Sequence, residues 1–381
     1  MSVERIRSMM SAKGIDACLI ADNANLYYLS RRVFRGYIYI ASEGDPIFFV
    51  MRPTGLSGNQ WHYIRKPENI VAELEKLGLP KPESLGLELD DITYSQAMRL
   101  KAVFPDAEVG NISSLMREVR MVKSAEEVEL MRFDGVKQAA CYAMIPKLFK
   151  PGMTDVELQI EIEHVLRREG ILGFLRTSGN LMEINMGSVL NGANADVPCP
   201  YDFAVGGGGV NGSLPVGADG RVMKEGTTVM VDMNGNFNGY QTDLTRTFVV
   251  GSAPQIAYDM HAVSIEICHA LEKIALPGVP VKKLVETAME IVEKHGLGEY
   301  FMGHTQQVSF IGHGVGIQLN EWPVLTSKSP HLLEENMTIA IEPKFVIPEV
   351  GAVGIENTYL VTANGLENLT VSPEELTVLN L

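Results

Sequence analysis

Two stretches set the tightest limit on what this chain can fold into. PGMTDVELQIEIEHVLRREG (Pro151 to Gly170) can be laid on PGVPVKKLVETAMEIVEKHG (Pro277 to Gly296), since both open with Pro-Gly and both close with Gly at the same distance. The alignment pairs Leu158 with Leu284, Ile162 with Ala288, Val165 with Ile291 and Leu166 with Val292. These positions step i, i+4, i+7, i+8, the apolar stripe of one helix face. The closing glycines suit the left-handed residue that follows a helix. Two readings are open: chance likeness between two amphipathic helices, or a duplicated α+β half with the copies facing each other. After each helix come glycine-rich, strand-like runs, TTVMVDMNGNFNG, QTDLTRTFVVG, MTIAIEPKFVI and GIENTYLVT. A helix layer covering a curved, mainly antiparallel sheet accounts for that order.

The first 120 residues read differently. IDACLIAD, YIYIAS, PIFFVMR and SLGLEL are short apolar runs typical of buried strands, and MSVERIRSMMSAKG and TYSQAMRLKAVF read as helices between them. Alternating strand and helix predicts an α/β unit with a mostly parallel sheet. REVRMV (Arg117 to Val122) reads as extended. A long helix follows it, opened by a capping box from Ser124 to Glu127. The boundary is therefore placed between residues 116 and 123, giving units 1–120 and 121–381. With 381 residues the chain is long for one core and comfortable for two.

Charge and cysteine content exclude some functions. Thirty-two Lys and Arg against 47 Asp and Glu give a net charge of −15. This argues against nucleic acid or an anionic membrane surface as partner, because both need clustered cations. Cys18, Cys141, Cys199 and Cys268 are far apart and form no CxxC pair, so a disulfide framework is not expected and a reducing compartment is. No apolar run approaches the ~18 residues of a membrane span, and the N-terminus lacks a signal-peptide pattern. The expectation is a cytoplasmic protein.

VDMNGNFNGYQTDLTRTFVV (Val231 to Val250) carries an acid on each arm of an apolar hairpin, Asp232 and Asp243, around the turn signals Asn234-Gly235 and Asn238-Gly239. Two like charges in a dry setting are costly unless a cation lies between them. Further along, IGHGVG holds His313 between glycines, TIAIEPKF ends an apolar run at Glu342, and VGIENTYLVT opens another at Glu356. Singly, each acid fits a strand-end salt bridge and His313 fits a core histidine. Together they form a set able to hold a metal.

That order, D-x₁₀-D, GHG-x-G, I-E-P and I-E-x-T, resembles the pita-bread metallopeptidases: prolidase, aminopeptidase P, methionine aminopeptidase and the non-peptidase creatinase. TDLTRTF and EWP (Glu321 to Pro323) are similar to theirs, and KGIDACLIADNANLYYLS is similar to the creatinase-type N-terminal domain. The resemblance implies an α+β fold, with a pseudo-duplicated pita-bread domain over 121–381 and a creatinase-type α/β domain over 1–120. It implies two divalent ions per chain, Mn²⁺ or Co²⁺ ahead of Fe²⁺ or Zn²⁺. Asp232 would hold one ion, Asp243 and Glu356 would bridge, and His313 and Glu342 would hold the other. A hydroxide between the ions would attack, and Glu342 or a neighbouring carboxylate would take its proton. A homodimer acting on a small peptide or small molecule is implied as well.

The sequence departs from that pattern at several places. Cys199 and Asn320 stand where family peptidases carry two substrate-holding histidines, so they are the candidate substrate-binding residues. Neither can carry the positive charge of a histidine. Cys199 could also be an inert core residue or a reactive thiol. Lys344 replaces the usual glycine after EP, and Gly354 replaces a common basic residue before the last Glu. Gly206 to Gly209 could form a lip donating backbone N–H groups or a loose surface loop. Arg31, Arg32 and Arg35 could meet a substrate carboxylate in a dimer or lie in a solvated loop. His261, His269, His295 and His304 are read as structural. The reading adopted is an X-Pro dipeptidase or aminopeptidase. The alternatives are a non-peptidase relative that acts on a small metabolite by C–N hydrolysis or elimination, and a non-catalytic scaffold.

Overall fold

The computed structural model describes every residue except Met1, Asn59, Asn180 and Leu181. Two compact units divide the chain, Met1–Arg120 and Met121–Leu381. The first contains α1 (Ser2–Ala12), β1 (Ala17–Ile20), α2 (Asn23–Ser30), β2 (Arg35–Ala41), β3 (Ile47–Arg52), β4 (Trp61–Tyr63), α3 (Ile70–Lys76), β5 (Ser84–Leu87), α4 (Tyr94–Val103), β6 (Glu108–Asn111) and α5 (Ser113–Met121). Its sheet runs β4-β3-β2-β1-β5-β6. Ala17 and Leu19 of β1 pack in one apolar cluster with Ile70, Leu74 and Leu100 from α3 and α4. Cys18 and Ile20 pack in another with Ile6, Met10, Leu115 and Val119 from α1 and α5. Both faces of the strand are covered, which is why it reads as an unbroken apolar run.

One expectation for this unit holds and one is corrected. The sheet is mostly parallel, at β1–β5, β5–β6 and β3–β4, while β1–β2 and β2–β3 are antiparallel. Only a short turn joins β2 to β3, and parallel neighbours need a longer crossover. REVRMV is helical through Met121, not extended. Leu115, Met116 and Val119 are fully buried at helical spacing, and that burial outweighs the weak helix propensity of Val119.

In the second unit, α6 (Ala125–Tyr142), α7 (Ile145–Leu148) and α8 (Asp155–Arg168) precede β7 (Gly187–Asn191), β8 (Thr228–Gly235) and β9 (Thr242–Val250). Then come α9 (Gln255–Ile274), α10 (Val281–His295), β10 (Phe310–Gly314), β11 (Glu321–Thr326), β12 (Thr338–Ile341), β13 (Lys344–Ile347), β14 (Gly351–Gly354), β15 (Asn357–Thr362), β16 (Gly365–Asn368) and β17 (Thr377–Leu379). Strands pair as β17-β9-β8-β7, as β11-β10-β12-β15-β16, and as β13-β14. All these pairs are antiparallel except β17–β9. Ser124 and Glu127 form the capping box that starts α6. The two aligned stretches are α8 and α10. Leu158, Ile162 and Leu166 pack against β7, β8 and β9 in one core, while Leu284, Ala288 and Val292 pack in the other core with Ile339, Ile341 and Val361. Each half is thus a helix layer on a sheet, as the duplicated reading requires.

Candidate metal centre

Alternation along β8 places the first acid. Val229, Val231 and Met233 face the core under α8, so Asp232 and Asn234 face the opposite way. In the ladder Asp232 stands across from Thr245 and Asn234 across from Asp243. The two acids therefore share one face on a diagonal, within side-chain reach. The turn between them is tied down by Asn238, which donates to Asp134 Oδ1 at 2.6 Å.

The other half supplies the remaining groups. His313 lies in β10, opposite Ala340 of β12. Its flanking glycines are required by close backbone approach: a Cβ on Gly312 would collide with the Ala340 carbonyl oxygen, and one on Gly314 with that of Trp322. His313 Nε2 lies 3.7 Å from Asp243 Oδ2 and 3.7 Å from Glu342 Oε1. Its Nδ1 lies 3.0 Å from the Gly314 carbonyl. With the proton on Nδ1, the Nε2 lone pair faces the acids. Glu342 follows β12, and Glu356 precedes β15. Glu356 and Thr245 exchange both backbone hydrogen bonds, at 3.1 and 3.3 Å. The Thr245 hydroxyl also donates to Glu356 Oε2 at 2.7 Å. The two halves meet at this pair, which brings Asp232, Asp243, His313, Glu342 and Glu356 around one centre.

One cation is already there. Lys344, only 1 % exposed, places Nζ 2.8 Å from Asp232 Oδ2, 2.7 Å from Glu342 Oε2 and 3.1 Å from Glu356 Oε2. Burial alone would lower its pKa, but the charges of Asp232, Glu342 and Glu356 hold it well above the ordinary lysine value. Burial drives the Asp243 carboxyl well above the usual carboxylate range, with Glu356 and Asp232 adding to the rise and Lys344 opposing it. Glu356 is pushed up to about 8, by burial first and then by Glu342, again against Lys344. One ammonium is not enough for four carboxylates.

Two groups of ligand atoms are close enough to share an ion, each within 4.8 Å: Asp243–His313–Glu356 and Asp232–Glu342–Glu356. Glu356, common to both, has a buried oxygen, Oε1, with no hydrogen-bond partner. Such an atom is costly unless a cation meets it. Carboxylates with one imidazole suit Mn²⁺, Co²⁺, Fe²⁺ or Zn²⁺, so the first group fits a divalent ion. In the second group each carboxylate has one oxygen bound to Lys344.

These groups line a cleft with Leu175, Met182, Ile184, Phe203 and Phe310 as apolar walls. Asn320 lines it too, and its carboxamide is held by the backbone of Ser178, accepting from N–H at 2.6 Å and donating to the carbonyl at 3.5 Å. Cys199 is not brought to this wall. Its thiol accepts from the Tyr201 N–H at 3.4 Å, and it lines a separate pocket with His304 and Gln306. The Gly206 to Gly209 run is neither lip nor loose loop. Gly206 accepts from Gly217 N–H at 2.7 Å, Gly208 N–H donates to Asn194 at 2.9 Å, and the bare Gly206 α-carbon packs on Cys199. A cavity of about 1090 Å³ lies in the first unit and is lined by Arg35, Arg52 and Arg99 among others. It has no carboxylate or histidine in its lining, so volume and chemistry point to different places, and the ligand set locates the centre. Thr245 and the ammonium of Lys344 are the groups that sequence reasoning missed. Thr245 stands two residues after Asp243 in a strand, and that spacing is the signal that it shares the acid's face.

Residues 129–363 match the model of metallopeptidase family M24, and residues 3–122 match that of the creatinase/prolidase N-terminal domain. The Xaa-Pro dipeptidase of Pyrococcus horikoshii is 28% identical over 384 residues, 98% of each chain. The Xaa-Pro dipeptidase of Pyrococcus furiosus is 27% identical, with 98% of this chain and 99% of that one covered. The crystal structure of the Pyrococcus horikoshii prolidase superposes with a TM-score of 0.80 at 25% identity, covering 98% of this chain and 99% of that one.

Proposed function

The chain belongs to metallopeptidase family M24 and is a hydrolase, and from that premise we propose that it cleaves the amide bond of Xaa-Pro peptides, as a dipeptidase or aminopeptidase, in a metal-dependent reaction. The observation that carries this reading is the Asp243–His313–Glu356 group, with Glu356 Oε1 buried and unpartnered beside it. The full-length likeness to two Xaa-Pro dipeptidases supports the substrate class. Catalysis is assigned to residues 121–381, and 1–120 are assigned as the creatinase-type domain.

A divalent ion held by Asp243, His313 and Glu356 would supply Lewis acidity toward the scissile carbonyl and acidify a water molecule. Glu342 would act as the base: Oε2 is fixed by Lys344, and Oε1 faces the centre beside His313. The apolar walls exclude bulk water and suit a proline ring. Binding of a second ion would require Lys344 to release Asp232, Glu342 and Glu356. All four cysteines are free and buried, which supports a reducing, cytoplasmic setting, and among the described residues no helix is long and apolar enough to cross a membrane. A homodimer remains part of the reading.

Turnover after loading with Mn²⁺ and, separately, Co²⁺ tests this, using paired Xaa-Pro dipeptides and Xaa-Pro tripeptides. Cleavage is expected, and the preferred length names the subclass. If metal-loaded protein leaves the whole panel intact, the peptidase reading fails. A second reading would then stand, a C–N hydrolase or lyase acting on a small metabolite. It is favoured by one observation, that Cys199 does not line the cleft and Asn320 is held to the backbone of Ser178.

A further inference from the structure

We propose that the Lys344 ammonium is a resident cation in the place of one of the two metal ions, so that each chain binds a single divalent ion, in the Asp243–His313–Glu356 group. The proposal rests on the metal-dependent reading above. Two ligand groups lie side by side and share Glu356. In one of them every carboxylate is taken by the same nitrogen, at 2.7 to 3.1 Å. An ammonium has three N–H donors and no acceptor, and here three carboxylates receive them. A metal ion in that group would have to bind the same three carboxylates that the ammonium already meets, and two cations held that close repel strongly.

Lys344 has nowhere else to go. Its residue is buried, its strand partner is Gly354, and its neighbours Phe345 and Val346 are fully buried apolar side chains. Withdrawing the ammonium from the carboxylates would leave an unpaired buried charge, which is strongly unfavourable. The two departures from the family pattern also prove to be one local arrangement. Lys344 faces Gly354 directly in the β13–β14 ladder, and a Cβ at 354 would come within 3.0 Å of the Lys344 Cα and 2.6 Å of the Pro343 oxygen. The basic side chain thus rises from one strand while the facing strand stays bare. In the other group Asp243 and His313 make no bond to Lys344, and the shared Glu356 has an unpartnered oxygen, Oε1, which gives one ion a place. With all its protons committed, Lys344 is a positioning residue that holds Asp232, Glu342 and Glu356, and it takes no part as base or nucleophile.

Bound Mn²⁺ per chain is the test, counted by elemental analysis after equilibrium dialysis of the full-length protein and paired with the Mn²⁺ electron paramagnetic resonance spectrum. The wild type is expected to hold one ion with the spectrum of an isolated Mn²⁺. Lys344→Gly is expected to hold two and to show an exchange-coupled pair. Two coupled ions in the wild type would overturn the proposal and leave the metal-dependent reading intact. No ion in the wild type would overturn both. A folded Lys344→Gly variant that still holds one ion would also overturn it, because the ammonium would not be what excludes the second. If that variant does not fold, the wild-type count and spectrum decide alone.

Discussion

Thr245 shows how much of the centre depends on a group that binds nothing itself. Its hydroxyl donates to Glu356 Oε2, the oxygen that also meets Lys344, and so fixes the carboxylate that groups with Asp243 and His313. Valine has nearly the same shape without the hydroxyl. Thr245→Val should leave the fold in place, since the backbone exchange with Glu356 remains, but should weaken Mn²⁺ binding by roughly 10–100-fold, the usual effect of removing a ligand's supporting hydrogen bond. Thr245→Ser should stay close to the wild type. Calorimetric titration with Mn²⁺ checks both, and equal affinities for wild type and the valine variant would remove Thr245 from the centre. At this scale the acids were legible because an unpaired charge in an apolar strand is expensive. Lys344 was visible as a substitution, yet its role was not, because the reach of Nζ to three carboxylates depends on the β13–β14 register and on two chain halves meeting.

Helices and strands were legible to different degrees, for physical reasons. The helix faces of α8 and α10 could be read because each repeats a stripe against its own core. The antiparallel pairs of the first unit could not, since strand direction depends on the length of each connection and not on the strands' own residues. Glycines separate two kinds of element control. Gly296 caps α10 with φ +69°, and a Cβ there would meet nothing within 4 Å. Gly296→Ala should therefore cost only backbone strain, about 1 kcal/mol, and lower the melting temperature by roughly 2–4 °C for a unit of this size. Gly312 sits in β10 with the Ala340 oxygen where a Cβ would go. Gly312→Ala must push β10 off β12, at a cost of about 3 kcal/mol, and must carry His313 out of place, so Mn²⁺ binding should fall with stability. Melting curves with and without Mn²⁺ separate the cases. The Mn²⁺-induced rise should persist in Gly296→Ala and vanish in Gly312→Ala, and a Gly312→Ala variant that keeps the full rise would refute the argument.

Each unit of the molecule has cores of its own, so the response of the whole to acid is a sum over separately packed groups. In the second unit, His261 is the clearest contributor outside the metal centre. It lies on α9 with Nε2 2.7 Å from the Glu374 carbonyl oxygen, and its other ring nitrogen is buried without a partner. Burial lowers its pKa to about 4 from 6.5, aided by the Arg246 charge and opposed by the Glu374 carbonyl and the charges of Glu374 and Glu375. The folded state thus holds His261 neutral, while the unfolded chain takes up a proton as pH falls below about 6.5. Between those two values the unfolded state binds more protons, so stability falls as pH falls. Above about 6.5 the contribution is complete, and by about pH 4 it is lost. The loss is on the order of 3 kcal/mol, from the size of the shift at about 1.4 kcal/mol per pH unit. His261→Gln keeps a donor for the Glu374 carbonyl and does not titrate. Urea unfolding of wild type and variant, from pH 7.5 to pH 4, isolates this contribution because the carboxylates of the two proteins are the same. The gap between their stabilities should change by about 3 kcal/mol across that range, with the wild type losing more. Parallel curves would mean that His261 is protonated in the folded state, with a cation accepted beside Arg246.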